Sequence, residues 1–177
     1  MDDFLDELAA RTPTPGGGGA AAVTGAMAAG LVGMAARFSV ARLPGALELA
    51  EQADELRRRA ADLAEADAVA YTAVLDARRQ GWDLREALYG AAVVPLEIAE
   101  IGARVALMAA RLAETGNPNL RGDAVTGMLL AAASTRSAAC LVDINVGLGG
   151  LEPELSRRAA QAVTDACAVA ERVMTDG

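Results

Sequence analysis

Pro13-Thr14-Pro15-Gly16-Gly17-Gly18-Gly19-Ala20 leads into Ala21-Ala22-Val23-Thr24-Gly25-Ala26, and no charged residue occurs between Arg11 and Arg37. Two prolines fix the approach of the backbone, and the glycines remove side chains from the point where a helix begins. A helix start of this kind leaves orphan N–H donors accessible at the positive end of the macrodipole, which suits an anionic group. The same glycines would equally serve to let another backbone pack close. No Gly-Lys-Ser/Thr follows, so the stretch is not a P-loop. The uncharged run is long enough to span a bilayer, but it is built from glycine and alanine with few large apolar residues, so it reads as the buried central helix of a soluble fold. Small residues recur every four positions at Ala21, Gly25, Ala29 and Gly33. They form a stripe on which a second helix, of the same or another subunit, can approach closely.

Working outward, the rest of the chain carries the same composition. Of 177 residues, 53% are hydrophobic, only 3% aromatic and 23% charged. That places the chain among compact folds, with one domain over 1–177 whose core is made of thin side chains in closely packed helices. Asp3 to Ala10 reads as a short amphipathic helix, Ala20 to Val40 as the central helix and Ala46 to Arg79 as a long amphipathic one. Asp83 to Glu114 follows, with Pro95 expected to kink or break it. Gly116-Asn117-Pro118-Asn119 is a turn, Ala124 to Val146 another small-residue helix, and Glu152 to Met174 the last. No segment sustains a two-residue alternation, so the expected fold is all-α, a single-domain bundle of long antiparallel helices.

Charge and cysteine usage narrow the function. A net charge of −8 argues against nucleic acid, since the Arg57-Arg58-Arg59 run is surrounded by Asp54, Glu55, Asp62 and Glu65. Cys140 and Cys167 have no paired spacing and read as buried small residues in a reducing compartment. The acidic Met1-Asp2-Asp3 start lacks the basic region of a secretory signal, so a cytoplasmic location is expected.

The chain contains no histidine. That removes the usual neutral-pH acid/base and the histidine-dependent metal sites of helical bundles, leaving proton transfer to a carboxylate, tyrosine, cysteine or the substrate. Acids on otherwise apolar helix faces are Asp67, Asp123, Asp143 and Glu97. Asp67 has Tyr71 one helical turn on, so the two share a face; the pair also fits a surface acid on a charged helix. Asp123 follows the Asn117 turn and precedes a stretch without charge until Arg136, a position that also suits a first-turn acid. Asn145 lies in the apolar run Val142-Asp143-Ile144-Asn145-Val146 and needs a partner from another helix or a ligand. Glu97 and Glu100 have ligand-like spacing, but without histidine or a second pair no metal is expected.

Phe4-Leu5-Asp6-Glu7-Leu8-Ala9 followed by Pro13-Thr14-Pro15-Gly16-Gly17-Gly18 resembles the opening of the cyclodeaminase/cyclohydrolase family. The resemblance continues in order through Asp67-Ala68-Val69-Ala70-Tyr71, Val94-Pro95-Leu96, Gly116-Asn117-Pro118-Asn119, Asp123-Ala124 and Ile144-Asn145. It implies a homodimeric all-helical enzyme acting on one-carbon tetrahydrofolates, with no cofactor beyond the folate substrate itself. Members close formiminotetrahydrofolate with loss of ammonia or open methenyltetrahydrofolate with water. The resemblance implies Asp123, Asp67 and Tyr71 as catalytic residues, gathered together, and Gly16, Gly17, Gly18, Gly19, Arg42, Asn117 and Asn145 as substrate-binding residues.

The chain departs from the family pattern at three places. Gly122 stands where a serine is usual, Leu141-Val142-Asp143 where Asn-Val-Arg is usual, and Ala41-Arg42 where Gly-Lys is usual. Two alternatives therefore stay open: a diverged enzyme of specialised metabolism that makes or breaks a C–N bond in a non-folate substrate, and a non-catalytic helical assembly module.

Overall fold

The computed structural model describes residues 2–175; Met1, Asp176 and Gly177 lie outside the described residues. Six α-helices follow in order: α1 (Asp2–Ala9), α2 (Gly17–Arg37), α3 (Ala46–Gln80), α4 (Leu84–Thr115), α5 (Arg121–Gly149) and α6 (Glu154–Thr175). A single 3-10 turn, Pro118–Leu120, precedes α5, and no strand occurs among the described residues. The all-α expectation holds. Short connections join long helices, so successive ones run antiparallel. Helices α4 and α5 pack against each other at the centre, with α2 and α3 on one side and α6 on the other.

Local chemistry sets the boundaries. Asp83 caps α4 by accepting a hydrogen bond from the Glu86 N–H at 3.1 Å, and Gly81, at φ 71°, takes the left-handed conformation that ends α3. Helix α2 begins three residues before the sequence expectation, because the glycines form its first turn: the Ala20 N–H already bonds the Gly16 carbonyl at 3.0 Å. It also ends earlier, at Arg37, where the Ser39 N–H reaches back to the Ala36 carbonyl.

Helix α4 runs through Pro95 without the break that was one of the two expected outcomes. The ring is fully buried, and since proline has no N–H, the carbonyl of Ala91 one turn earlier has no helical donor. The side-chain amide of Asn145, on α5, takes its place.

The core is thin. Alanines make up most of it, and two neighbouring hydroxyls on α5 set how closely its partners approach. Ser134 Oγ donates to the Ala21 carbonyl of α2 at 2.7 Å, and a Cβ on Gly25 would sit 3.0 Å from that oxygen. Thr135 Oγ1 lies 2.9 Å from the Ala131 carbonyl and 3.3 Å from the Ala99 carbonyl of α4; a Cβ on Gly102 would overlap Oγ1. The Ala21, Gly25, Ala29, Gly33 stripe is therefore a seam within the chain, buried against α5 at Gly25 and against Ala53 and Asp54 of α3 at Gly33.

The cysteines depart from expectation. Cys140 is exposed and Cys167 only partly covered. In helices where alanine occupies both the inner and outer faces, apolar neighbours in sequence do not reveal which face a residue takes.

These contacts predict opposite outcomes for two glycines of α4. Gly102→Ala forces a Cβ into Thr135 and to within 3.0 Å of the Ala131 carbonyl, so it should destabilise by about 1–3 kcal/mol. Gly90, also helical, has open space at its Cβ, and Gly90→Ala should gain up to about 1 kcal/mol from helix propensity. Urea denaturation of the two variants measures both signs.

Candidate active site

On α3, Asp67, Tyr71, Val74 and Arg78 recur at intervals of four, three and four residues, so one face of the helix presents an acid, a phenol, an apolar contact and a cation in file. On α5, Leu141, Ile144, Asn145 and Leu148 form a second file. The start of α2 and the residues before it close the gap between the two. The result is a cavity of about 420 Å³, lined by both files together with Thr14, Gly16, Gly17, Gly18 and Ala91. That volume suits a small ligand.

Asp67 is the focus of this cavity. Burial raises its carboxyl pKa above the usual aspartate range, while the Gly19 backbone N–H directed at it opposes the rise. The glycine run explains how the acid gets there. A Cβ on Gly18 would overlap the Asp67 carboxylate, whereas a Cβ on Gly16 meets nothing within 4 Å and one on Gly17 only Leu141 at 4.0 Å. Of the four glycines, Gly18 is thus the one that the approach of the carboxylate demands. The protein's own carboxylate, rather than an external anion, sits at the start of α2.

Asn145 Nδ2 donates to the Ala91 carbonyl at 2.7 Å. This is the acceptor that Pro95 leaves without a partner, and a buried unpaired carbonyl would cost about 1–3 kcal/mol. Asn145 is therefore tied to a neighbouring helix and lines the cavity at once.

The ten residues singled out from sequence divide into two groups. Gly16, Gly17, Gly18, Asp67, Tyr71 and Asn145 line the cavity, with Gly19 directly beneath it. Arg42, Asn117 and Asp123 lie at the opposite end of the bundle, so of the four residues expected around Asp123 the chain itself places Asn117 at the same end and Asp67, Tyr71 and Asn145 apart from it. Along α5, Asp123 precedes Leu141 by eighteen residues, roughly 27 Å at the helical rise. Asp123 sits in the first turn of α5. Asn117 braces the turn before it: its backbone N–H donates to Ser39 Oγ at 2.9 Å, its Nδ2 to the Phe38 carbonyl at 3.1 Å, and its Oδ1 accepts from the Asn119 N–H at 3.0 Å. Arg42 is exposed in the loop after α2.

The other acids are accounted for elsewhere. Glu97 pairs with Arg59 through two contacts of 2.6 and 2.7 Å, Glu100 pairs with Arg158, and Asp143 is exposed away from the cavity. Of the positions that depart from the family pattern, Leu141 alone lines the cavity. Sequence reading missed Arg78, although its spacing from Asp67, eleven residues, returns to the same helix face. Two other clefts, of about 550 and 830 Å³, are lined by groups such as Arg85, Glu86 and Trp82 and contain none of the ten residues.

The chain is similar to characterised proteins along most of its length. It is 35% identical over 162 residues to the methenyltetrahydrofolate cyclohydrolase of Methylorubrum extorquens, covering 82% of this chain and 78% of that protein. Its fold superposes on the crystal structure of formiminotetrahydrofolate cyclodeaminase from Thermotoga maritima with a TM-score of 0.84 and 31% identity, over 98% of this chain and 90% of that one. Residues 1–164 match the formiminotransferase-cyclodeaminase family, and with that extent of sequence and structural agreement the chain belongs to it.

Proposed function

We propose that this protein is a one-carbon folate enzyme, a soluble cytoplasmic homodimer that opens methenyltetrahydrofolate with water or closes formiminotetrahydrofolate with loss of ammonia. The observation that carries the reading is Asp67, a carboxyl whose pKa is raised by burial in a cavity closed by the glycine start of α2. Family membership supplies the substrate class.

In the opening reaction, water adds to the central carbon of the N5,N10-amidinium. As the new C–O bond forms, ionised Asp67 stabilises the cation and accepts a proton from the attacking water. The tetrahedral carbon then breaks its bond to N5, which takes the proton from Asp67, and the hydroxyl on that carbon gives up its proton to solvent as the carbonyl of the N10-formyl group forms, so one proton is released overall. In the closing reaction N10 attacks the carbon of the protonated formimino group and passes its proton to ionised Asp67, which delivers it to the formimino nitrogen as the bond from that nitrogen to carbon breaks and ammonia departs. A carboxyl with a raised pKa gives and takes a proton near neutrality more readily than an ordinary one. Tyr71 and Arg78 provide a hydroxyl and a positive charge on the same cavity wall.

The homodimer is supported by an uncharged outer face. Helix α2 carries no charge from Gly17 to Ala36, yet Met27 is exposed and Val23, Leu31 and Met34 are only partly buried within the chain. Its outward Ala20 and Thr24 border a groove of about 390 Å³ whose other wall is Ala133, Ser137 and Leu141 of α5. Asp123, Thr126, Leu130, Ala133, Ser137 and Leu141 are spaced three or four residues apart, so one stripe of α5 runs from Asp123 to the cavity. A two-fold axis across this face would lay the Asp123 end of each copy over the cavity of the other, and this is how we assign Asp123, Asn117 and Arg42 to the site. A second reading, an enzyme that makes or breaks a C–N bond in a non-folate substrate, is favoured by Leu141, an apolar residue where members usually carry asparagine. Such an enzyme leaves the near-ultraviolet absorbance of methenyltetrahydrofolate decaying at the rate of buffer alone.

The role given to Asp67 fixes how rate and stability respond to substitution and to pH. Asp67→Asn should lower the initial rate of methenyltetrahydrofolate opening by around 10²-fold, and Gly18→Ala, which displaces the carboxylate, should impair it too. In the wild type the rate should fall as pH drops through a pKa above the ordinary aspartate value, a limb missing in Asp67→Asn. Stability has the opposite sign: a carboxyl whose folded pKa is raised favours the folded state below the unfolded pKa, and that contribution is lost as pH rises through the folded pKa. Asp67→Asn should therefore melt above wild type at neutral pH, with the gap closing in acid.

The composite site is tested by mixing. Asp67→Asn and Asp123→Asn homodimers should each be slow, and unfolding and refolding them together should restore activity, because one site of each mixed dimer then has both aspartates. Absence of recovery in a mixture shown to contain mixed dimers would return Asp123 to a role within its own helix.

A further inference from the structure

We infer that Pro95, which lies behind the wall of the cavity, is a positioning residue: by withholding the helical donor from the Ala91 carbonyl, it fixes the Asn145 amide so that Oδ1 faces the bound substrate. The inference rests on the cavity being the active site.

The geometry leaves little freedom. Pro95 is buried inside an unbroken helix, four residues after Ala91, so the carbonyl at 91 is the one whose intrahelical partner is missing. Asn145 Nδ2 lies 2.7 Å from that carbonyl. A carbonyl accepts but never donates, so only the nitrogen end of the amide can face it. The amide cannot turn over without setting two oxygens against each other. Its oxygen end is thereby held away from α4, on a residue that lines the cavity together with Asp67. Packing reinforces the arrangement: Ala92 and Leu96, on either side of Pro95, are buried in one cluster with Ala139 and Val142 of α5, within the two turns before Asn145.

An ordinary residue at 95 would supply its own N–H to Ala91, and the Asn145 amide would then be free to present either end. With proline there, the substrate meets a fixed hydrogen-bond acceptor. The chemistry that this acceptor recognises is an N–H donor, such as the amino and ring N–H groups of a reduced pterin. Pro95 thus acts on substrate selection through Asn145 without touching the substrate.

The test is a double-mutant cycle read in kcat/KM for methenyltetrahydrofolate, with thermal melting of the same four proteins. Asn145→Ala should lower kcat/KM at least tenfold. Pro95→Ala should lower it by about tenfold when Asn145 is present, mainly through KM, and should have no further effect in the Asn145→Ala background. In melting, Asn145→Ala should lower Tm while Pro95 is present and leave it unchanged in the Pro95→Ala background, where the helix satisfies its own carbonyl. If Pro95→Ala does not fold, Pro95→Ser restores the same N–H and takes its place. A residue at 95 that served packing alone would lower kcat/KM equally in both backgrounds, and that result, or a Pro95→Ala enzyme within twofold of wild type, overturns the inference. Full activity in Asn145→Ala itself would instead overturn the assignment of Asn145 to the site, and the inference with it.

Discussion

The structure depends on how closely α5 lies against α2 on one side and α4 on the other. Two adjacent hydroxyls, Ser134 and Thr135, reach the carbonyls of Ala21 and Ala99, and at each contact a glycine opposite leaves the space. Each hydroxyl is buried and bonded to a helix other than its own, which makes it a marker of register as well as a polar contact. A shift of one residue along α2 would leave Ser134 without its acceptor, one along α4 would cost Thr135 its contact with Ala99, and either would bring a side chain where a glycine hydrogen is needed. Leucine-rich interfaces impose no such strict register, because large flexible side chains repack.

That register carries the site. With α5 locked by Ser134 and Thr135, Leu141 comes to lie beside Gly17, and Asn145 reaches Ala91. The start of α2, held by the same contacts, brings Gly18 against Asp67 on α3. Four helices, α2, α3, α4 and α5, thus contribute to one small cavity. A carboxyl in such a place is costly to ionise, and the fold keeps it so because the surrounding helices have no room to rearrange around it.

Much of this was legible in the sequence. Helix periodicity, glycine and proline punctuation and the absence of any sustained alternation led to the right number and order of helices. The glycine run, Asp67, Tyr71 and Asn145 were picked out as candidates, and all line or adjoin one cavity. Three things were not legible, each for a physical reason. The separation of Asp123 from Asp67 depends on which ends of antiparallel helices coincide, and that is set by contacts between residues far apart in sequence. Exposure of Cys140 was hidden because α5 carries apolar residues on its outer face as well, Leu129, Ala133 and Ile144 among them. The continuity of α4 through Pro95 rests on a side chain fifty positions away, Asn145, so no local rule could have foreseen it. The pairing of Pro95 with Asn145 also gives a reason for the presence of both in the same family pattern, where each taken alone looked unrelated to the other.

The thin core also changes what the protein can tolerate over evolutionary time. Where a core is leucine and phenylalanine, most substitutions shrink a side chain and open a void that neighbours partly fill. Here alanine and glycine dominate the helix contacts, so nearly every change enlarges a residue and pushes whole helices apart. Drift is thereby channelled outward: sequence diversity among descendants of this chain should accumulate on the charged faces of α3 and α6, while the interior remains almost monotonous in composition. New specificity would then arise most easily from the cavity-lining positions that already face open space, among them Gly16 and Ile144, where a larger or polar side chain meets ligand before it meets the fold.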